Sequence, residues 1–410
     1  MRRGAGFFAG VAAKSAVSLL AVAVLGMAGY GWVVLSDLTD KVVVTDVLSS
    51  QADGDRPMDG TVDILLVGVD SRTDARGHPL SREQRRLLWV DRADGEVNTD
   101  TIILLHIPKD TSRAVAVSIP RDSYVDIPGY GAHKINSAYP RGKNVERRRL
   151  QKRGNSDKAA VERWSNQAGA RVLIKTVEQL TGRTIDHYAA VNLMGFYGIT
   201  QAIGGVEVCL RKAVEDERSN ADFPAGRQVI AGKDVVSFVR QRHGLPRGDL
   251  DRVVRQQVFL TGMARKVLSA GTLSDPGRLT DLMEAISRSV VLSRGWDIMA
   301  FAKRVSSLTG GQLQFRTIPV GSLALQTPQD GAAVEVDPHR VRQFIAALSG
   351  PSDREVRPQA QTSTSPRHPT TSDKPAASTK PATQSRSNAP STSRQPADDP
   401  ITADEVPCVN

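Results

Sequence analysis

Hydrophobic positions recur along this chain in three rhythms, and each predicts a different element. The first is a short, unbroken apolar run. Val62–Val69 is apolar apart from Asp63 and reads as a strand buried on both faces. Residues 101–107 and 114–119 repeat the pattern, and 185–191 and 206–210 follow further on. The second rhythm is the helical spacing of three and four. Val161, Trp164, Ala168, Val172, Leu173, Val177 and Leu180 keep that interval and Gly182 ends it, which predicts a helix over 159–182. A more apolar helix is predicted over 193–203, closed by Gly204 and Gly205. Helices over 279–292, 296–308 and 338–348, with a strand over 314–320, complete the pattern, which is that of an α/β fold.

The third rhythm has no polar beat. Residues 15–36 carry no charge and, at 1.5 Å per residue, make a helix of about 33 Å, the depth of a bilayer core. Tyr30 and Trp32 suit an interface, and no small-x-small cleavage site follows, so the reading is a retained anchor. Arg2, Arg3 and Lys14 precede the span and Asp37 and Asp40 follow it. This places residues 1–14 in the cytoplasm and the bulk outside, as a single-pass protein of the cell membrane. Residues 37–60 are a polar connector, and 61–350 are the folded domain. Residues 351–400 are Ser, Thr, Pro, Ala and Gln with almost no large apolar side chains, and so are predicted to be disordered. Residues 401–410 bring back Ile401, Val406 and Cys408.

Charge narrows the partners. The 410 residues carry a formal net charge of +10, with a pI near 9.7, which favours an anionic partner. Aromatic residues are only 5% of the chain, too few to supply stacking platforms, and an outward-facing anchored domain also speaks against nucleic acid. Two cysteines exclude a disulfide-rich scaffold and a Cys-based zinc site. The seven histidines lack metal-ligand spacing; His106, His133 and His187 read as core or turn residues. The basic run RGKNVERRRLQKR over 141–153 reads as a solvated loop or helix end, with polymer binding as the alternative.

The densest chemistry lies in FVRQRHGLPRGDLDRVVRQQ, residues 238–257. Residues 235–242 read as a strand that would put Arg240 and Arg242 on one face, and 245–248 read as a loop. Asp249 reads as the N-cap of a helix to about residue 268, with Arg252, Arg255, Gln256 and Phe259 sharing one face. Converging arginine forks suit a diphosphate; the alternative is a solvated charged surface. Asp70 and Asp100 stand at strand ends near Arg121, an oxygen set for a hard cation, Mg²⁺ or Mn²⁺; the alternative is strand-end capping.

Six motifs in order carry a resemblance. DILLVGVDSR (63–72), NTDTIILLHI (98–107), SIPRDSYV (118–125), KINSAY (134–139), AIGGVEVCL (202–210) and the arginine segment resemble the LytR–CpsA–Psr (LCP) family over residues 61–268. The resemblance implies a three-layer α/β/α sandwich with a mixed central sheet and an apolar pocket for a polyprenyl chain. It implies a membrane-anchored phosphotransferase that moves a glycopolymer from a polyprenyl diphosphate carrier to peptidoglycan, with pyrophosphatase as a side activity. Asp70 and Asp100 would then be the metal aspartates. Arg121, Arg240, Arg242, Arg252 and Arg255 would contact the diphosphate, with Asp249 and Gln256 beside them and Asp249 activating the acceptor hydroxyl. Asn98 stands where many members carry arginine, so that one diphosphate contact is either missing or supplied by Arg72, Arg76 or Arg247. The 193–203 helix, Phe259, Leu260 and Met263 would line the lipid pocket; the alternative is that they are simply core. A different class of function stays open, a non-catalytic wall-associated scaffold that binds anionic glycopolymers.

The two cysteines, Cys209 in an apolar strand and Cys408 near the C-terminus, both fall outside the membrane on this topology. There a disulfide persists, so their pairing is expected; two free thiols or an intermolecular bridge are the alternatives.

Overall fold

A computed structural model of the protein describes residues 42–48, 60–89, 98–109, 113–267, 275–298, 300, 301, 304, 312–348, 401, 402 and 406–410. The predicted anchor at 15–36 and the predicted disordered tail at 351–400 lie outside these residues. Among the described residues no helix is long and apolar enough to cross a membrane.

In chain order the elements are β1 (Val43–Thr45), β2 (Val62–Val69), α1 (Arg82–Leu87), β3 (Thr99–Ile107), β4 (Ala114–Ser118), β5 (Ser123–Ile127) and β6 (Gly131–Lys134). The long pair α2 (Ala138–Lys152) and α3 (Lys158–Thr181) follows. Next come β7 (His187–Asn192), α4 (Leu193–Ala202), β8 (Val206–Leu210), β9 (Val214–Asp216), β10 (Ala221–Phe223), β11 (Gly226–Ile230), α5 (Lys233–Arg240) and α6 (Asp249–Val267). The remainder is α7 (Pro276–Ser289), β12 (Val290–Ser293), β13 (Leu313–Thr317), β14 (Leu325–Thr327), β15 (Gly331–Glu335), α8 (Pro338–Leu348), β16 (Ile401–Thr402) and β17 (Cys408–Val409).

Eight strands form one mixed sheet in the order β1-β12-β7-β2-β3-β4-β13-β16. The pairs β1/β12, β7/β2 and β4/β13 are parallel and the others antiparallel. The two-residue period of β2 divides the core. Leu65, Val67 and Val69 pack with Leu173, Ile174 and Val177 of α3 and with Val341 and Ile345 of α8. Leu66 packs on the opposite face with Leu260 of α6, beside a core shared by α4, α6, α7 and β8. Helices on both faces of a mixed sheet make the three-layer α/β/α arrangement. Each fully buried aliphatic side chain of these cores contributes about 1.5–3 kcal/mol.

Several expectations need correction. Residues 235–242 are not a strand: Val235, Val236, Phe238 and Val239 are buried on α5, which starts after Gly232 and ends at Arg240. The run FVRQR mimics strand alternation only at that helix's end. Residues 141–153 are not a solvated loop but the body of α2, packed on α3 with Lys143 buried and paired to Glu162 at 2.5 Å. Gly142 and Gly169 allow that approach, because a Cβ on Gly169 would sit 2.6 Å from the Tyr139 carbonyl oxygen. Part of the 37–60 connector is the edge strand β1, and residues 290–292, expected to be helical, belong to β12. The one charge in the β2 run, Asp63, is buried and meets His106 Nδ1 at 2.7 Å; His187 stacks on Trp296. His133 Nδ1 lies 2.8 Å from Asp330 Oδ2, so all three histidines are structural.

The C-terminal strands return to the domain. β16 pairs with β13, and β17 pairs in parallel with β8, setting Cys408 opposite Cys209 with Cα atoms 4.3 Å apart and the two sulfurs joined.

Candidate active site

Register brings four chain positions to one end of the sheet. β2 ends there and is followed by Asp70; antiparallel β3 begins there and carries Asp100; β4 ends there before Arg121; parallel β7 ends there at Asn192. The pairing of β2 with β3 slips between Gly68 and Val69, and the Asp70 N–H then donates to the Asn98 carbonyl at 3.0 Å. Asn98 thus holds the aspartate through its backbone. α5 and α6 deliver the second half of the site from the same side. Arg240 ends α5, Arg242 follows in the loop, and Asp249, Arg252 and Gln256 lie on the first turns of α6. Asp249 is within the first helical turn rather than capping it.

Acidic and basic groups interleave. Arg121 Nη1 pairs with Asp100 Oδ1, and its Nε lies 3.5 Å from Asp122 Oδ1. Arg252 Nη2 is 2.6 Å from Asp249 Oδ1, and Arg242 Nη2 is 3.7 Å from the same oxygen. Gln256 accepts from Thr101 Oγ1 at 3.2 Å and donates to the Val239 carbonyl at 3.3 Å. Arg240 donates to the Leu88 carbonyl at 3.2 Å.

Burial controls the ionisation of these groups. It raises the Asp70 carboxyl above its ordinary value, against the pull of Arg240. Burial likewise raises Asp249, opposed chiefly by Arg252, and lowers Arg252, opposed chiefly by Asp249. At Arg121 burial acts downward, but Asp100, Asp122 and Asp249 together outweigh it and the net shift is upward.

A cluster of buried polar atoms here lacks hydrogen-bond partners: Asp70 Oδ1, both Asp249 carboxylate oxygens, Arg121 Nε, Arg242 Nη2, and Arg252 Nε and Nη2. The Arg252–Asp249 approach is close enough for an ion pair but lacks hydrogen-bond geometry. Buried polar atoms ordinarily have hydrogen bonds, so a knot of ion-paired groups of both signs whose atoms lack them suits a ligand that carries oxygen anions and a cation. Asp70 Oδ1 is a free carboxylate oxygen of the kind a hard cation takes, whereas Asp100 Oδ1 is engaged by Arg121 Nη1. Among the described residues no group of three or more His, Cys, Asp or Glu side chains is arranged to hold a metal alone.

Asp70, Asp100, Arg240 and Gln256 also form the polar end of a cavity whose other walls include Leu193, Phe196, Val239, Phe259 and Leu260. Its volume is about 30 Å³, roughly one water's share of the liquid. Met263, expected in this lining, instead packs at the edge of the core under β8.

Two expected diphosphate ligands are engaged elsewhere. Arg255 is fully buried, donates to Gln241 Oε1 and the Asn410 carbonyl, and lies 5.1 Å over the Phe238 ring; burial brings its pKa down to about 10. Arg247 is held by Asp251 at 2.6 Å. Arg76 gives its carbonyl to Arg163, whereas the Arg72 charge acts on Asp70. Sequence reasoning missed Asp122 and Lys134, whose side chains approach to 3.7 Å beside Arg121. Both stand inside quoted motifs, and their charge was the available signal.

A three-layer sandwich with a buried arginine–aspartate knot at one sheet end, next to a cavity with apolar walls, is the class of protein that fold and site define. The chain belongs to the LytR_cpsA_psr family, whose sequence profile matches residues 37–346. It is 42% identical over 343 residues to "Cell wall biosynthesis protein LcpA" of Corynebacterium glutamicum, covering 83% of this chain and 66% of that protein. It is 33% identical over 198 residues to "Polyisoprenyl-teichoic acid--peptidoglycan teichoic acid transferase TagU" of Oceanobacillus iheyensis, covering 48% of this chain and 55% of that protein. The chain thus spans just under two thirds of the length of the first relative and about half of the second. The fold resembles a solved structure described as "TagT bound to LIIa-WTA", at a TM-score of 0.50 and 17% identity, covering 75% of this chain and 97% of that one.

Proposed function

We propose that this protein is a phosphotransferase of cell-envelope assembly, moving a glycopolymer from a polyprenyl diphosphate carrier to peptidoglycan. The observation that carries this reading is the knot of buried atoms without hydrogen-bond partners on Asp70, Arg121, Arg242, Asp249 and Arg252, with Asp70 also lining the cavity that has apolar walls. The teichoic acid transferase named among the relatives supports the same reaction class. Residues 15–36 are the proposed anchor, with the catalytic domain outside the membrane.

Arg121, Arg242 and Arg252 bind the diphosphate oxygens, and Arg240 joins them by releasing the Leu88 carbonyl. The polyprenyl chain enters between α4 and α6, separating Phe196 from Phe259, whose ring centres are 6.1 Å apart. Asp70 and Asp100 would hold Mg²⁺ or Mn²⁺, which would neutralise charge on the phosphates. The acceptor hydroxyl oxygen forms a bond to the phosphorus that carries the glycan. The bond from that phosphorus to the bridging oxygen breaks, and polyprenyl monophosphate leaves with that oxygen. Asp249, whose proton affinity burial raises, takes the hydroxyl proton. Water in place of the acceptor gives the pyrophosphatase side reaction.

The test is turnover of a polyprenyl-diphosphate-linked glycan by the full chain, with Mg²⁺ and with chelator. Asp70→Ala is expected to lower the rate about 100-fold or more, as is chelation. Equal rates in all conditions would overturn the reading.

A further inference from the structure

A second cavity, about 240 Å³, opens at the same end of β2 and β7, on the side of α2 and α3. Val69 and Trp164 of α3, the latter 46% exposed, line it. Tyr139 and Tyr188 also line it. Burial pushes both phenols up, so both remain neutral hydroxyls. Asn166, another lining residue, has a buried Oδ1 with no hydrogen-bond partner. Apolar side chains, an indole, neutral donors and a free acceptor, in a lining that also holds Asp46, Asp74, Arg163 and Arg294, are complementary to a sugar ring, which offers C–H faces and hydroxyl edges. The volume suits a single ring.

Position says which sugar. None of the arginines of the diphosphate knot lines this cavity, whereas the donor's first sugar, bonded directly to phosphate, must lie beside them. A second molecule fits instead, and the site is within its reach. Ser71, which lines the cavity, follows Asp70 in the chain, and Val69 and Asn192 line both cavities. We propose that this cavity binds a saccharide ring of the acceptor glycan, with Trp164 as its stacking platform. The lipid-linked donor then occupies one face of the sheet and the acceptor the other, meeting over the ends of β2 and β7. The assignment rests on the phosphotransferase reading above.

The experiment titrates the full chain with a β-1,4-linked N-acetylglucosamine tetramer, and uses the same tetramer as acceptor in the transfer assay. Native protein is expected to bind it saturably. Trp164→Ala is expected to weaken binding about three- to tenfold, the loss of one aromatic contact, and Trp164→Phe to restore part of it. The change should sit in the acceptor KM rather than in kcat. Trp164 is half exposed, so an unchanged melting temperature verifies the fold. No saturable binding, or an acceptor KM that Trp164→Ala leaves as in the native protein, would overturn the assignment. Saturable binding without transfer would sink the phosphotransferase reading and leave this site standing; transfer with an untouched acceptor KM would do the reverse.

Discussion

Asp70 holds a proton more readily than an exposed aspartate, because burial at the end of β2 disfavours its charge more than Arg240 favours it. The sign of the stability effect follows. Between the ordinary value of 3.8 and the higher folded-state value, the native protein binds more protons than the unfolded chain, so stability falls as pH rises through that window. Above it the cost is present in full. Asp70→Asn, similar in shape and uncharged, is therefore expected to be more stable than the native protein at neutral pH in metal-free buffer. Below the unfolded pKa the advantage disappears. Denaturant unfolding at the two pH values measures this, and equal stability at neutral pH would mean that burying the carboxylate costs nothing. The two aspartates and Arg121 were legible in the sequence because they punctuate apolar strands. Arg255 was not. Its one-face spacing with Arg252 is real, but Gln241, Phe238 and Asn410 come from other parts of the chain, and only the folded packing decides which guanidinium they claim.

At the scale of elements, the apolar runs and the helical period over 159–182 were legible because burial acts locally on each. The N-terminus of α3 is capped by Asp157, which accepts from the Ala160 N–H at 3.0 Å, and its C-terminus by Gly182 at φ 71°. α5 and α2 were not legible. In α5 the apolar residues crowd into a single short stretch, where strand and helix periods cannot be told apart. In α2 lysines and arginines together outnumber apolar residues, and its stability comes from the contact with α3. That contact tolerates no side chain at Gly169, where a Cβ would meet the Tyr139 carbonyl oxygen at 2.6 Å and the Lys143 Cβ at 3.2 Å. Gly169→Ala should destabilise by about 1–3 kcal/mol through overpacking, although alanine is the better helix former by about 1 kcal/mol. Denaturant titration decides between them; a gain in stability would show that the helix pair can part without cost.

At the scale of the whole molecule, the C-terminal strands tie the chain back onto the domain. β17 extends β8, and the bridge from Cys209 to Cys408 closes a loop of sequence separation 199. Closing so long a loop restricts the unfolded chain, and removing it with Cys408→Ser should cost roughly 2–4 kcal/mol. A melting temperature equal to that of the native protein would show that the returned strand adds nothing. The same strand delivers the Asn410 carbonyl to Arg255, behind the helix that carries Arg252, so the tail supports the site from outside it. The sequence by itself determined the α/β class, the strand-end aspartates, the arginine-bearing α6 and the family, because short-range periodicity and ordered motifs are properties of neighbouring residues. Only the tertiary structure decided which arginines keep buried atoms without hydrogen-bond partners, that a basic helix packs through glycine, and that two cavities flank one sheet end. Those outcomes depend on register and on contacts between residues distant in the chain, which set burial and therefore charge.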